Sequence, residues 1–233
     1  MCVVDQLQQS KVLARWRKVH AKFALHALTV RKEPPEVLRA RICGYLAGDG
    51  SISKRFDKVQ RKMHHDIVFY PDNESVAKNF ICSFEALYGK RPKMLNLGNY
   101  FKVRTELKPA CVDLLKEGSF RSLEWSIPKF VLKNKELMKE WLRAFFDCES
   151  YVGPRIIQVQ SVNKEGLIHI QKVLKTFGVE SRIYEYKRKN PNWNINYLLS
   201  IMKLDSRLKY LKTIGFNHPI KQQKLEGYVA NVA

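Results

Sequence analysis

Two acids, Asp49 and Glu149, stand at matching places in two related stretches of the chain. The first stretch reads Ile42-Cys43-Gly44-Tyr45-Leu46-Ala47-Gly48-Asp49-Gly50, and the second Leu142-Arg143-Ala144-Phe145-Phe146-Asp147-Cys148-Glu149-Ser150. Small residues lie four apart in each, Gly44 and Gly48 in one, Ala144 and Cys148 in the other. As helices, both stretches present a nearly flat stripe against which another backbone can lie. Two such helices packed stripe to stripe bring their terminal carboxylates side by side. An acid at the C-terminal end of a helix dipole is already disfavoured, and two together need a shared proton or a cation. A divalent metal between Asp49 and Glu149 is the cation this pattern puts forward, beside the alternative of a shared proton.

The elements that must position these acids are legible as two successive halves. Pro35 and Glu36 open the first motif helix, proline at its start and an acid in its first turn. After Gly50 come Ser51 to Phe56 and a basic loop with Lys58, Arg61, Lys62, His64 and His65. A strand is expected over 66–70, then a turn whose Asp72 or Asn73 caps the next helix. That helix carries Val76, Phe80, Ile81, Phe84 and Leu87 at helical period and stops at Gly89. Strands over 93–97 and 100–107 join through Gly98-Asn99, and a helix follows over 109–116. The order then recurs after the second motif: a strand over 154–161, a helix capped by Asn163 and ending at Gly178, strands over 181–187 and 194–202, and a helix over 208–214 leading to a last short one. A repeat of about 100 residues is too long for a solenoid unit. It has the size of a half-domain, so the fold should be pseudo-symmetric with the motif helices on the axis.

Composition narrows the partners. Forty-two Lys and Arg against 22 Asp and Glu give a formal charge of +20, and such an excess points to a polyanion, DNA or RNA before an anionic membrane. No apolar run approaches the ~20 residues that span a bilayer, and no secretory signal is visible. The five cysteines are odd in number and scattered, without zinc spacing, so the chain reads as intracellular and reduced. Residues 1–35 form a basic N-terminal extension, ahead of halves at 36–135 and 136–233.

The two motifs resemble the signature helices of LAGLIDADG homing endonucleases in their single-chain, two-motif form. The lead-in Trp125-Ser126-Ile127-Pro128-Lys129-Phe130-Val131 is similar to the family's approach to its second motif, and Ser161-Val162-Asn163 before a helix ending Phe177-Gly178-Val179 is similar to its second half. The resemblance implies an α+β fold of two αββαββα halves. Their antiparallel sheets would form a saddle over a long duplex, with the motif helices as the central interface through Gly44, Gly48, Ala144 and Cys148. It implies a monomeric, site-specific double-strand endonuclease serving intron or gene mobility. Asp49 and Glu149 would hold Mg²⁺, an ion suited to all-oxygen ligands, or Mn²⁺ or Ca²⁺ in its place, assisted by the carbonyls of Gly48 and Cys148.

Beyond the two acids, the resemblance places Lys224 beside the second active centre, with Lys129 as a weaker counterpart in the first half and Gln160 as a residue positioning water. Lys54, Arg55, Arg61, Lys93, Lys102, Arg104, Arg155, Lys187, Arg188 and Lys189 make up the expected DNA face, most of them on phosphates. Ala144 and Ser150 depart from the family's glycines, and Ser150 would be strained if its position needed positive φ. Two other readings use the same fold: an RNA maturase that binds intron RNA, and a DNA-binding regulator that does not cleave. An intein is disfavoured, because the chain lacks a nucleophile-bearing splice block at its N-terminus and does not end in His-Asn.

Overall fold

A computed structural model describes residues 33–186 and 194–230. The expected basic extension therefore lies, up to residue 32, outside the described residues, as does the loop bearing Lys187, Arg188 and Lys189. The first half runs α1 (Pro35–Asp49), β1 (Gly50–Asp57), β2 (Lys62–Phe69), α2 (Glu74–Tyr88), β3 (Lys93–Asn96), β4 (Phe101–Glu106) and α3 (Lys108–Glu117). The second runs α4 (Lys135–Glu149), β5 (Ser150–Gly153), β6 (Ile156–Ser161), α5 (Lys164–Thr176), β7 (Arg182–Tyr186), β8 (Asn196–Ile201) and α6 (Leu204–Thr213), followed by α7 (Pro219–Ala230). Each half is αββαββα, and its antiparallel sheet has the same strand order, β1-β2-β4-β3 and β5-β6-β8-β7.

Local chemistry repeats with the topology. Asn73 caps α2 by accepting from the Ser75 amide at 2.9 Å, and Asn163 caps α5 by accepting from Gly166 at 2.9 Å. Both helices end where a glycine turns left-handed, Gly89 at φ 68° and Gly178 at φ 72°, a conformation open to glycine without steric cost. Ser150–Gly153 forms a short strand, as Gly50–Asp57 forms a longer one. Two expectations are corrected. Gly50–Asp57 is paired along its full length with β2, so His64 and His65 lie in β2 and not in a loop. The last helix, Pro219–Ala230, is 12 residues long, not short.

The two halves share one hydrophobic core that passes through the motif helices. Tyr45 of α1 packs on Phe69 of β2 (centroids 5.2 Å apart), while Trp141 and Phe145 of α4 stack at 5.1 Å under Trp125 of the lead-in segment. Between the helices, the small-residue stripes meet. A Cβ added at Gly44 would collide with the Trp141 carbonyl and lie 2.9 Å from the Ala144 Cβ; one added at Gly48 would lie 2.6 Å from the Cys148 Cβ. Such distances leave no room for a side chain, so glycine is what permits this approach.

Nearer the middle of the helix pair, away from the acids, a buried ion network ties the two helices. Arg41 of α1 donates to Glu140 of α4 at 2.8 Å and reaches Glu33 at 2.6 Å. Glu140 in turn accepts from Arg143, which also donates to the Ile214 carbonyl at 2.7 Å.

These contacts predict opposite responses to one methyl group. Gly44→Ala should cost about 1–3 kcal/mol through overpacking. Gly227→Ala, in α7 with nothing within 4 Å of its added Cβ, should stabilise by roughly 0.4–1 kcal/mol by restricting the unfolded chain. Urea unfolding of the two variants beside the parent checks both signs.

Candidate metal and nucleic-acid site

Helices α1 and α4 deliver Asp49 and Glu149 to one end of their interface because each acid is the last residue of its helix. Both are half-buried. Burial pushes the Glu149 carboxyl up to about 7, and the neighbouring charge of Asp49 pushes in the same direction, opposed by Lys221. Burial raises Asp49 as well, opposed by Lys221 and by a hydrogen bond with the Cys148 side chain. Two oxygen-donor groups thus repel one another at a partly desolvated spot, the electrostatic condition a hard divalent cation relieves. Among the described residues no group of three or more His, Cys, Asp and Glu converges to hold a metal. A cation here would therefore complete its shell with water or substrate oxygens, as Mg²⁺ commonly does.

The lysine at this centre is Lys221. Its Nζ donates to the carbonyls of Asp147 (2.7 Å) and Cys148 (3.1 Å) at the C-terminal end of α4, where a cation complements the helix dipole. Lys224, expected from the sequence, is exposed one turn further along α7 and takes no such place. The Cys148 carbonyl, expected to assist a metal, is instead engaged by Lys221. Lys129 lies exposed beside a different cavity, with Lys116, Ser126 and His169. Gln160 does reach the centre: with Gly48, Gly50, Glu149 and Asn196 it lines a cleft of ≈ 400 Å³.

Asp147 received no role from the sequence, yet it is fully buried. Its Oδ1 accepts from the amides of Asn217 and His218, both at 2.9 Å, and Tyr45 donates its hydroxyl to Oδ2 at 3.3 Å. These bonds hold the start of α7 against α4 and so set where Lys221 projects. Burial still pushes the Asp147 carboxyl up to about 7. His218 also approaches Asp72 at 3.3 Å and holds that carboxyl below its usual range.

Ser150 is not strained. It sits at φ −91°, extended backbone that any residue adopts, and its hydroxyl donates to the Phe146 carbonyl at 2.6 Å. Gly50 is extended too, at φ −117°, but a Cβ there would lie 2.6 Å from Leu46. Close packing, not backbone hand, accounts for the glycine.

Cross-strand register sorts the expected basic residues by face. The pairs Arg55↔His64, Val68↔Arg104, Lys93↔Arg104 and Leu95↔Lys102 set Arg55, Lys93, Lys102 and Arg104 on the open face, opposite buried Ile67, Phe69 and Val103. Lys54 belongs to the other face: it pairs with His65 in the same parity as Ile52 and acts electrostatically on Cys111 of α3. Arg61 and Arg155 are exposed at the turns of the β1–β2 and β5–β6 hairpins.

Residues 136–215 match the LAGLIDADG-like domain family. The chain is 34% identical over 206 residues, 82% of its length, to a glutamine–fructose-6-phosphate aminotransferase of Methanocaldococcus jannaschii. It spans only 17% of that relative, and 10% and 14% of two other curated relatives, so the likeness concerns a segment of those proteins. Among solved structures, the homing endonuclease I-DmoI in complex with DNA and Ca has a TM-score of 0.66 at 17% identity, covering 84% of this chain and all (100%) of that one. Full-length DUF199/WhiA from Thermotoga maritima has a TM-score of 0.57 at 16% identity, over 89% of this chain and 66% of that one. Both have this chain's fold.

The raised carboxyl of Glu149 predicts a pH dependence. Its native pKa of about 7 exceeds the ordinary 4.5, so between these values the folded state binds more protons and stability falls as pH rises. Asp147 acts in the same direction. In EDTA, Glu149→Gln should remove part of that decline: the variant gains on the parent as pH rises from 4.5 through 7, read by urea unfolding across the range.

Proposed function

The chain belongs to the LAGLIDADG family, and from that premise we propose that it is a site-specific endonuclease hydrolysing both strands of a long duplex with a divalent metal, Mg²⁺ in the cell. The observation that carries this reading is the convergence of Asp49 and Glu149 at the end of one tightly packed helix pair, where burial disfavours the charged form of both acids, the Asp49 charge adds to this at Glu149, and Lys221 offsets it only in part. Two open sheet faces, one with a row of basic side chains, flank that centre.

In this proposal the carboxylates of Asp49 and Glu149 would hold the cation where the duplex is cut. The metal, when bound, lowers the pKa of an attacking water and neutralises charge on the leaving oxygen. Lys221 supplies a fixed positive charge beside both acids and stabilises the charge that develops on the phosphate. Gln160, at the mouth of the cleft, orients water for attack. Arg55, Lys93, Lys102 and Arg104 bind the duplex and fix its register against the centre. Because both halves reside in one chain, the protein acts as a monomer, and its product, a double-strand break at a single site, serves the mobility of an intron or gene.

The test is to incubate the protein with a library of long duplexes and Mg²⁺ and to sequence the ends. Paired, staggered ends at one site are expected. Asp49→Asn and Glu149→Gln should each lower the cleavage rate by more than about a hundredfold, about 2.7 kcal/mol of barrier, while duplex binding persists. Gly48→Leu, which wedges the helices apart, should abolish cleavage. No cleavage of any duplex, with tight binding to a structured RNA, would replace this reading by the maturase; no cleavage with duplex binding retained would replace it by the regulator. Lys221→Met should slow cleavage by roughly the 10²-fold or more typical of a lost electrostatic stabiliser, with Lys224→Met close to the parent, in the same assay.

A further inference from the structure

The two halves share a backbone plan, but their open faces carry different chemistry. On the first sheet that face presents Arg55, Lys93, Lys102 and Arg104. Asp66 holds the Arg104 guanidinium in place at 2.6 and 2.9 Å. Among the described residues no carboxylate lies within ion-pair distance of Arg55, Lys93 or Lys102. On the second sheet the pairs Tyr151↔Gln158, Gln158↔Ser200, Tyr184↔Leu198 and Tyr186↔Asn196 set Tyr151, Gln158, Tyr184 and Tyr186 on the open face. The three tyrosines are 61%, 42% and 53% exposed. Of the residues in β5 to β8, one cation, Arg182, shares that face through its pairing with Ser200.

These side chains suit different bases. Arginine and lysine donate to the O6 and N7 acceptors of guanine in the major groove. A glutamine amide matches the donor and acceptor of adenine, and a ring face offers apolar contact to the thymine methyl. Exposed aromatic rings are also stiff, so they make such contacts at low entropic cost. We infer that the target is lopsided in composition: guanine-bearing in the half-site under β1–β4 and A·T-rich in the half-site under β5–β8, with Arg55 and Gln158 among the residues that set the difference. This rests on the duplex-DNA reading above.

The experiment is a binding selection with the full chain and a duplex library randomised over a long window, without divalent cation so that bound duplexes are recovered uncut. The parent should select sites with one guanine-rich and one A·T-rich half. Arg55→Gln should move one position in the guanine-rich half from G towards A by about tenfold, the order of one bidentate contact, and leave the other half as it was. Gln158→Arg should do the reverse in the A·T-rich half. Unchanged thermal melting shows that each variant is folded. Equal composition in the two halves, or a variant that alters both halves or neither, overturns the inference while leaving DNA binding intact. Failure to enrich any duplex overturns the DNA reading itself and this inference with it.

Discussion

The close approach of α1 and α4 is the constraint on which the rest depends. At Gly44 and Gly48 the helices are in contact through backbone and the first atom of the facing side chain, with no space for another methyl. Because both helices point the same way, this approach stacks two negative helix ends and two carboxylates at one place. Nearer mid-helix the two are held by Arg41 and Glu140, a buried pair whose members are each costly to leave alone. Sliding either helix by a turn would separate that pair and close the glycine gap against larger side chains. Register and carboxylate separation are therefore fixed together.

Charge is organised on two scales. Over the whole molecule the balance is +20, which attracts a polyanion from a distance. At the centre the sign reverses: Asp49, Glu149, Asp72 and the helix carbonyls lie close together, and Lys221 opposes the first two acids. The raised carboxyls follow from the same crowding: burial disfavours the charged form of each acid, and a neighbouring acid adds to it.

Elements with an alternating or helical apolar pattern were legible in the sequence, and so were both caps at Asn73 and Asn163. β1 was not, because its Ser-Ile-Ser-Lys-Arg-Phe run reaches beyond the helices and buries almost nothing. β5 is four residues long and offers too little pattern to read. The paired acids were visible because the repeat displays them twice. That Lys221, and not Lys224, meets the carbonyls ending α4 was not legible, because it turns on helical phase against a neighbouring helix, which a run of lysines and glutamines does not encode. Asp147 escaped for a related reason: an acid on a helix reads as solvent-facing until Tyr45 and the 217–218 amides are seen to enclose it. For Ser150 the condition for strain, a positive φ, is not met, and the glycine at the matching position answers instead to contact with Leu46.

The pseudo-symmetry breaks where chain connectivity requires it to. After α3 the chain must still travel to α4, so its next segment stays largely irregular. It places Phe120, Ser122 and Trp125 along the cleft beside Gly48 and Gly50. After α6 no third motif helix has to be reached. The corresponding stretch turns at Gly215, is caught by Asp147 through the 217–218 amides, and proceeds as α7. That helix carries Lys221 to the carbonyls that end α4. Glu149 thus lines a cleft walled by Phe120 and Trp125, while Lys221 sets a positive charge near both carboxylates. This asymmetry follows from a single chain serving as both halves.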